Sequence, residues 1–463
     1  MAQIELAKSL KALVGPEAVI DDPSEYHESY NKAVMVINPQ RPIMTKSSPE
    51  VAVRPTEKRQ VVETVKFANE HSIPLYVASG GTDTVGGTAA VKGGILLDMK
   101  LMNKVLKIDE RERYAVLEAG IILSKLEEQL NAKGVTHGHH PNSYNNAAVA
   151  GAISHYGIGT ESPGFGLISD NVLGMEVVLP SGELLKIGAK CKTSMGEKNL
   201  LWLFLGIAGE HGIITEVTLR VFPLDLTKRR AHAFKYESFE KAAEASFELY
   251  TKGIKPSIQY AEAVGELALL VVAIDSNDPG IADAVEKAVV SVALEKGGEE
   301  MPREITENWL KERHFEDVFA VTRASIHGGV FWPIHSSFLT FKDHIQWYHD
   351  TKEICAKYGL EVIQPSLYSN PWDLSLLLGY FGAPTDEMRE KDSKARYELV
   401  QRAVDMGGAA DAIHGASLKS AYFFEQQLGP VGADLLKKIK AIMDPNHILN
   451  PGKRWKAVED LGL

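Results

Sequence analysis

Helical and strand-like segments alternate along this chain, glycine is dense up to about residue 225 and sparser beyond it, and the length exceeds what one core supports; together these predict an α+β protein of two or more packed units. Domains usually stop growing at roughly 250 to 300 residues, and the sequence has 463. With 44% hydrophobic and 24% charged residues, the composition is that of an ordinary globular protein.

Residues 1–45 begin with a helical pattern, Ile4, Leu6, Leu10 and Leu13, and then run extended to Arg41-Pro42, which reads as an N-terminal wrap. From Val51 to Leu224 the pattern predicts a helix over 56–71, strands over 74–78, 94–99 and 114–119, and a helix over 123–134. A loop rich in His, Asn and Gly follows, then a strand over 172–179 whose Pro180-Ser181-Gly182 turn leads into 183–187 as a hairpin. Beyond Leu226, helical patterns over 239–252, 281–296, 341–358 and 386–406 alternate with short β-type runs such as Leu267 to Ile274, predicting a second α+β unit. The last helix, 432–443, is ended by Asp444-Pro445 and followed by the turn Asn450-Pro451-Gly452-Lys453. The expected division is 1–45, 46–225, 226–425 and 426–463.

A net charge of −11 with no concentrated basic patch excludes nucleic acid as the natural partner. Leu267 to Ile274 is the longest clean apolar run and falls far short of the ~20 residues a membrane span needs. The charged N-terminus lacks the apolar stretch of a signal peptide, so the cytoplasm is the expected location. Two cysteines, Cys191 and Cys355, are too few and too far apart for a metal or disulfide framework and read as buried thiols.

Two loops carry the chemistry. In Ser79-Gly80-Gly81-Thr82-Asp83-Thr84-Val85-Gly86-Gly87, glycines let the backbone take positive φ and approach a ligand closely, and successive N–H groups make a concave site for an anion such as pyrophosphate. This is neither the GxGxxG fingerprint nor a GxxxxGK loop, so NAD and nucleoside triphosphates lose ground. The second element runs from His137 to Gly159. Its small residues Ala147, Ala148, Ala150 and Gly151 permit close approach to a flat group. His137, His139 and His140 lie beside a proline without a carboxylate or cysteine at ligand spacing, so they read as lining for a polar pocket, and no metal is expected.

These loops, with Leu203 to Pro223, Gly166 to Gly174 and Asp444 to Lys453, resemble the vanillyl-alcohol oxidase (PCMH-type) family of FAD proteins, in particular its branch of flavin-carrying glycolate oxidase subunits and FAD-linked D-lactate dehydrogenases. The resemblance implies a two-part FAD-binding domain and an α+β cap with an antiparallel sheet. It implies that Ser79, Gly80, Gly81, Thr82, Asp83 and Thr84 cradle the pyrophosphate, and that Pro141 and Ser143 lie by the isoalloxazine. It implies further that Ala147, Ala150, Gly151 and Ser154 follow the ribityl chain, Ile213 and Ile214 meet the cofactor through backbone groups, and Asn450 and Lys453 return the tail to it. Ser79 stands where several relatives carry a flavin-bonded residue, so noncovalent FAD is expected.

On the substrate side, oxidation at a CH–OH carbon needs a hydride acceptor and a base. The resemblance points to His414 as base, although Ile413 replaces the usual glutamate and a structural histidine remains an equal reading. It points to Arg323 as the substrate-carboxylate partner, whose planar fork suits that task, against a surface salt bridge. The cap metal motif of some relatives is replaced by Pro365 to Trp372, so no zinc is expected. A phenolic or polyol alcohol is the alternative substrate, for which Tyr156, Tyr368, Trp372 and Tyr380 could form an aromatic pocket or merely core. A noncatalytic electron-relay subunit is the reading from another class. The electron acceptor (oxygen, quinone, cytochrome or electron-transferring flavoprotein) and a homo-oligomeric state stay open.

Overall fold

The computed structural model describes residues 3–26, 30, 32–36, 43–188, 197–264, 267–314, 316, 334–337, 340–368, 373–378, 385–410, 414–415 and 417–454. Elements are numbered in chain order. The first is helix α1 (Gln3–Val14), which buries Leu6, Ala7, Leu10 and Val14 at three- and four-residue spacing. Ile4, expected on that face, is instead 86% exposed, because the buried stripe starts two residues later.

Strands β1 (Val19–Ile20), β4 (Val51–Val53), β5 (Leu75–Ala78) and β6 (Ile95–Asp98) form a sheet of order β1-β4-β6-β5, in which β4 and β5 both run parallel to β6. Helix α2 (Lys58–Glu70) makes the crossover from β4 to β5 that parallel neighbours require; its Gln60 side chain closes a capping box with Glu57 and donates to the Val14 carbonyl at 2.8 Å, tying α1 down. Strands β2 (Lys32–Val36) and β3 (Ile43–Ser47) pair antiparallel in a separate two-stranded sheet.

The second sheet is antiparallel throughout, in the order β11 (Leu184–Gly188), β10 (Val172–Val178), β12 (Ile213–Arg220), β8 (Tyr114–Glu118) and β7 (Val105–Asp109). After β8 comes helix α3 (Leu123–Asn131), which buries Leu123, Leu126 and Leu130, followed by β9 (Val135–Thr136), which pairs with β13 (Phe222–Pro223). Short helices α4 (Val149–Ser154) and α5 (Ser162–Phe165) frame the loop between them. Both sheets, α1, α2, α3 and the tail residues Ile448 and Leu449 share one core.

The third sheet has seven antiparallel strands: β17 (Glu299–Glu300), β14 (Arg230–Tyr236), β16 (Leu267–Ile274), β15 (Ile258–Val264), β19 (Val362–Tyr368), β20 (Asp373–Leu378) and β18 (Ile334–Ser337). One face is covered by α6 (Phe239–Thr251), α7 (Pro279–Glu295), α9 (Phe341–Lys357) and α10 (Asp386–Asp405), over a core that includes Leu270, Val272, Leu249, Val289, Trp347 and Leu399. Ile258, Tyr260 and Ala273 point to the other face, where they meet Ile158, Leu167 and Trp309 of α8 (Arg303–Glu312). A strand covered on both faces shows no polar alternation, which is why Leu267 to Ile274 reads as an unbroken apolar run. The units approach closely here: a Cβ on Gly164 of α5 would lie 2.7 Å from the Ser257 Cα.

The final helix α11 (Phe424–Met443) is longer than its sequence pattern, because Gly429 (φ 67°) and Pro430 break it and only the second half reads as a continuous helix. No described helix is long and apolar enough to cross a membrane.

Asp444 fastens the tail that follows. Wholly buried, it accepts from the Ile448 and Leu449 amides at 3.1 and 2.8 Å and pairs with Lys440 Nζ at 2.6 Å, and Leu449 then bridges to Leu75 at the edge of the first sheet. Replacing Asp444→Ala strips two buried amides of their acceptor and Lys440 of its counter-charge at once, and is expected to cost about 3 kcal/mol, read as a lower urea midpoint than wild type.

Candidate functional site

The glycine loop leaves β5 at Ala78 and folds back on itself. Asp83 turns inward, its two oxygens accepting from the Val85 and Thr88 amides at 3.2 and 3.3 Å. Gly81 and Gly86 take φ of 73° and 86°, values that a side chain would strain. Among the described residues no acceptor takes the backbone N–H of Gly80, Thr82 or Thr84, so these donors are available to a ligand.

The second loop lies directly against the first. A Cβ on Gly80 would fall 2.5 Å from the Asn146 carbonyl oxygen, and one on Gly151 would fall 2.8 Å from Ser79 Oγ. Thus Ser79 and Gly80 meet Ala147, Ala148 and Gly151 as one wall made largely of backbone, while the Ala150 amide turns away to the Ala119 carbonyl. The tail braces it: Lys453 Nζ donates to the carbonyls of Gly86 (2.6 Å) and Ala89 and stands 5.1 Å over the Tyr76 ring, while Asn450 donates through its amide to the Ala208 carbonyl. Lys453 therefore supports the loop from behind. Ile213 and Ile214 open β12 with side chains in the main core, opposite Val178 and Val177. Several buried polar atoms around these loops have no hydrogen-bond partner among the described residues: Thr88 Oγ1, Asn146 Oδ1, Asn450 Oδ1 and both ring nitrogens of His139. Leaving such groups unpaired costs about 1–3 kcal/mol each, so a cleft this rich in them fits an extended polar cofactor with many hydrogen-bonding atoms.

The chain returns to this wall late. Lys419 N donates to the Val85 carbonyl at 3.1 Å, and Gly415 (φ 58°) packs so tightly that a Cβ would lie 2.5 Å from the Gly206 carbonyl oxygen and 3.1 Å from that of Ser154. The turn carrying His414 thus adjoins the end of α4. Half-buried Tyr156 (φ 51°) packs its ring on Gly206. Arg323, Trp372, Tyr380 and Cys191 lie outside the described residues. The side chain of Tyr368 does too, though its backbone pairs with Tyr260 in the third sheet. Cys355 is buried on α9, and burial pushes its thiol up to about 12, leaving it unreactive.

The three histidines are not an open lining; all are buried, and the fold brings them the carboxylate that their spacing lacked. Glu127 of α3 accepts from Thr136 Oγ1 at 2.6 Å and the His137 amide at 3.2 Å. Burial alone would raise its pKa, yet His137, His140 and Thr136 hold it down at about 2. The His139 amide donates to His137 Nδ1 at 3.0 Å, so the ring proton sits on Nε2, facing the Leu123 carbonyl at 3.2 Å and Glu127 at 3.3 Å. Burial keeps this imidazole neutral, with its pKa down at about 4. His140 is the opposite case. Burial disfavours its charge, but Glu161 at 2.8 Å and Glu127 at 3.4 Å raise its pKa to about 9 and make it an imidazolium.

Glu161, fully buried, also takes Thr160 Oγ1 at 2.6 Å, Arg313 at 3.0 Å and Arg229 at 3.4 Å; despite its burial, His140 and the two arginines hold its pKa well below the usual range. Arg229 grips Asp275 with two bonds of 2.8 and 2.7 Å. Three carboxylates (Glu127, Glu161, Asp275) thus balance three cations (His140, Arg229, Arg313). Spacing along the chain could not show this cluster, because its members lie up to 186 residues apart (313 − 127).

One atom each from Glu127, His137 and His140 falls within 4.8 Å of the others, a spacing a metal ion could span. The hydrogen bonding argues against it: the His139 amide takes the His137 Nδ1 lone pair, which leaves that ring's proton on the inward Nε2, and each His140 nitrogen already faces a carboxylate.

The chain matches the family described as FAD binding domain over residues 49–188 and that described as FAD linked oxidases, C-terminal domain, over residues 225–454. It is 26% identical over 432 residues to the glycolate oxidase subunit GlcD of Bacillus subtilis, 88% of this chain and 89% of that one. To a D-lactate dehydrogenase of Anaerostipes hadrus it is 26% identical over 483 aligned residues, 97% of each. Among solved structures it superposes on p-cresol methylhydroxylase with a TM-score of 0.76, covering 97% of this chain and 96% of that one; at 21% identity this likeness establishes the shared fold.

Two expectations test the cluster. The folded protein holds the His140 proton up to pH about 9, whereas the unfolded chain releases it near 6.5. Between those values the native state binds more protons, so stability falls as pH rises. His137, neutral in the fold, acts on the acid side and leaves that limb alone. The melting temperature should drop between pH 6.5 and 9.5, and His140→Gln should flatten the drop; a flat wild-type profile would mean a neutral His140. Dialysis against EDTA should leave the melting temperature unchanged, and a loss reversed by zinc would establish a metal centre.

Proposed function

The chain belongs to the PCMH-type family of FAD-linked oxidases and is an FAD-dependent oxidoreductase, and on that footing we propose that it oxidises a small 2-hydroxy acid of the glycolate or D-lactate kind at the carbon bearing the hydroxyl. The observation that carries this reading is the return of the His414-Gly415 turn to Ser154 and Gly206, beside the wall formed by the two glycine-rich loops. The names of the relatives, a glycolate oxidase subunit and a D-lactate dehydrogenase, support the same substrate class.

FAD, when bound, supplies a hydride acceptor at N5. The chain supplies the rest. The amides of the 79–84 loop would bind the FAD pyrophosphate, and Pro141, Ser143 and the 147–154 segment would hold the ring and ribityl chain. With Ser79 in the first loop, the cofactor is held noncovalently. Arg323 pairs with the substrate carboxylate and orients the C–H bond. His414 would take the proton of the substrate hydroxyl, while bound FAD would supply the acceptor for the hydride.

Anaerobic addition of glycolate or D-lactate to the FAD-loaded protein should bleach the oxidised-flavin band. Vanillyl alcohol and xylitol should leave it intact, and bleaching by either of these alone would replace this reading with a phenolic or polyol substrate. No bleaching by any donor would point to an electron-relay subunit. Arg323→Ala should raise KM for the hydroxy acid roughly 100-fold, the size of one lost bidentate charge pair of about 3 kcal/mol.

A further inference from the structure

Helix α8 is seated on the face of the third sheet that looks toward the glycine-rich unit. Trp309 packs on Tyr260 with ring centres 5.3 Å apart, and its Nε1 donates to Glu262 at 3.1 Å. The helix ends at Glu312, and the next two residues reach across the seam. Arg313 donates to buried Glu161 at 3.0 Å and, through its other terminal nitrogen, to the carbonyl of Leu310 in its own helix. His314 stacks on Tyr144 at 4.6 Å with its planes 26° apart, and its Nδ1 lies 3.1 Å from the Pro141 carbonyl oxygen.

Facing a carbonyl, that nitrogen must carry the proton. Burial, with Arg313 and His140 close by, keeps the ring neutral, its pKa lowered to about 3, so Nδ1–H donates and the tautomer is fixed. The Pro141 oxygen also accepts the Tyr144 amide at 2.9 Å, the bond that closes the turn 141–144. One turn is therefore held from inside by its own backbone and from outside by a side chain of the other unit. Its inner neighbour His140 is likewise clamped between Glu127 of the first unit and Glu161, which Arg313 and Arg229 anchor.

We propose that Arg313 and His314 are positioning residues through which the cap sets the Pro141–Tyr144 turn, so that FAD affinity and the flavin's electronic environment depend on a donor from the cap. The proposal rests on the reading above in one respect, the assignment of Pro141 and Ser143 to the isoalloxazine. It does not depend on which substrate the enzyme oxidises.

The test compares His314→Phe, which keeps a ring to stack on Tyr144 but has no donor, with His314→Asn, whose side-chain amide can still donate to the Pro141 carbonyl. FAD dissociation constants are measured by titrating apoprotein, with the visible flavin spectrum and the urea midpoint of the apoprotein read alongside. The phenylalanine variant should bind FAD 5- to 10-fold more weakly, about the worth of one hydrogen bond, with a shifted flavin band. The asparagine variant should stay within twofold of wild type. Equal impairment of both would assign the role to ring packing and overturn the proposal, as would wild-type affinity and spectrum in the phenylalanine variant. If that variant does not fold, Arg313→Met carries the same expectation, and unchanged FAD affinity there overturns the proposal equally. A protein that binds FAD as expected but is bleached by no hydroxy acid would sink the proposed substrate and leave the clamp standing.

Discussion

Glu161 is the residue on which the arrangement of the two units turns. An ionised carboxylate removed from water is tolerable only when charges and donors surround it, because its desolvation costs several kcal/mol. Its partners come from three distant parts of the chain: His140 in the second loop, Arg229 at the entry to the third sheet, and Arg313 beyond α8. A single carboxylate thus satisfies all three only if both units dock in one orientation. The nearby contact of Gly164 with Ser257, where even a methyl group would collide, demands the same orientation by shape alone.

The charge cluster also explains how four neighbouring imidazoles can hold different protonation states. His140 lies between two carboxylates and is cationic. His137 touches one of them but has its Nδ1 lone pair taken by an amide, His139 touches none, and His314 sits beside two cations; these three stay neutral. Identical side chains are separated by what the backbone places next to them. The backbone places those neighbours from both units, so the electrostatics of the second loop belong to the whole chain.

Much of the fold was legible in the sequence because local pattern and burial coincide. The helix over 123–134 and the strand over 114–119 appear within a few residues of their expected ends, since each buries one regular face. The hairpin of β10 and β11 was legible from its Pro180-Ser181-Gly182 turn. Ile4 misleads because a terminal helix can expose an apolar residue at little cost, and α11 was half hidden by Gly429-Pro430. Within the site, the glycine loops were visible because backbone conformation demands glycine. Glu127, Glu161, Arg229 and Arg313 were not, since a charged residue on a helix or in a loop ordinarily faces water, and only tertiary contact reveals that it is buried.

A wall built mainly from backbone has a physical weakness that accounts for the remaining contacts. Glycine and alanine let two loops approach each other and a cofactor, but they contribute no side chains to hold the loops in place, and glycine loses the most conformational freedom on ordering. The restraint therefore comes from elsewhere in the chain. Lys453 supplies it from the tail, Lys419 from the segment that brings His414, and His314 from the end of α8. Each donates to a main-chain carbonyl. A net worth of about 1 kcal/mol per bond makes each tether modest. Acting together, they make the order of these loops depend on the tail and the cap being docked.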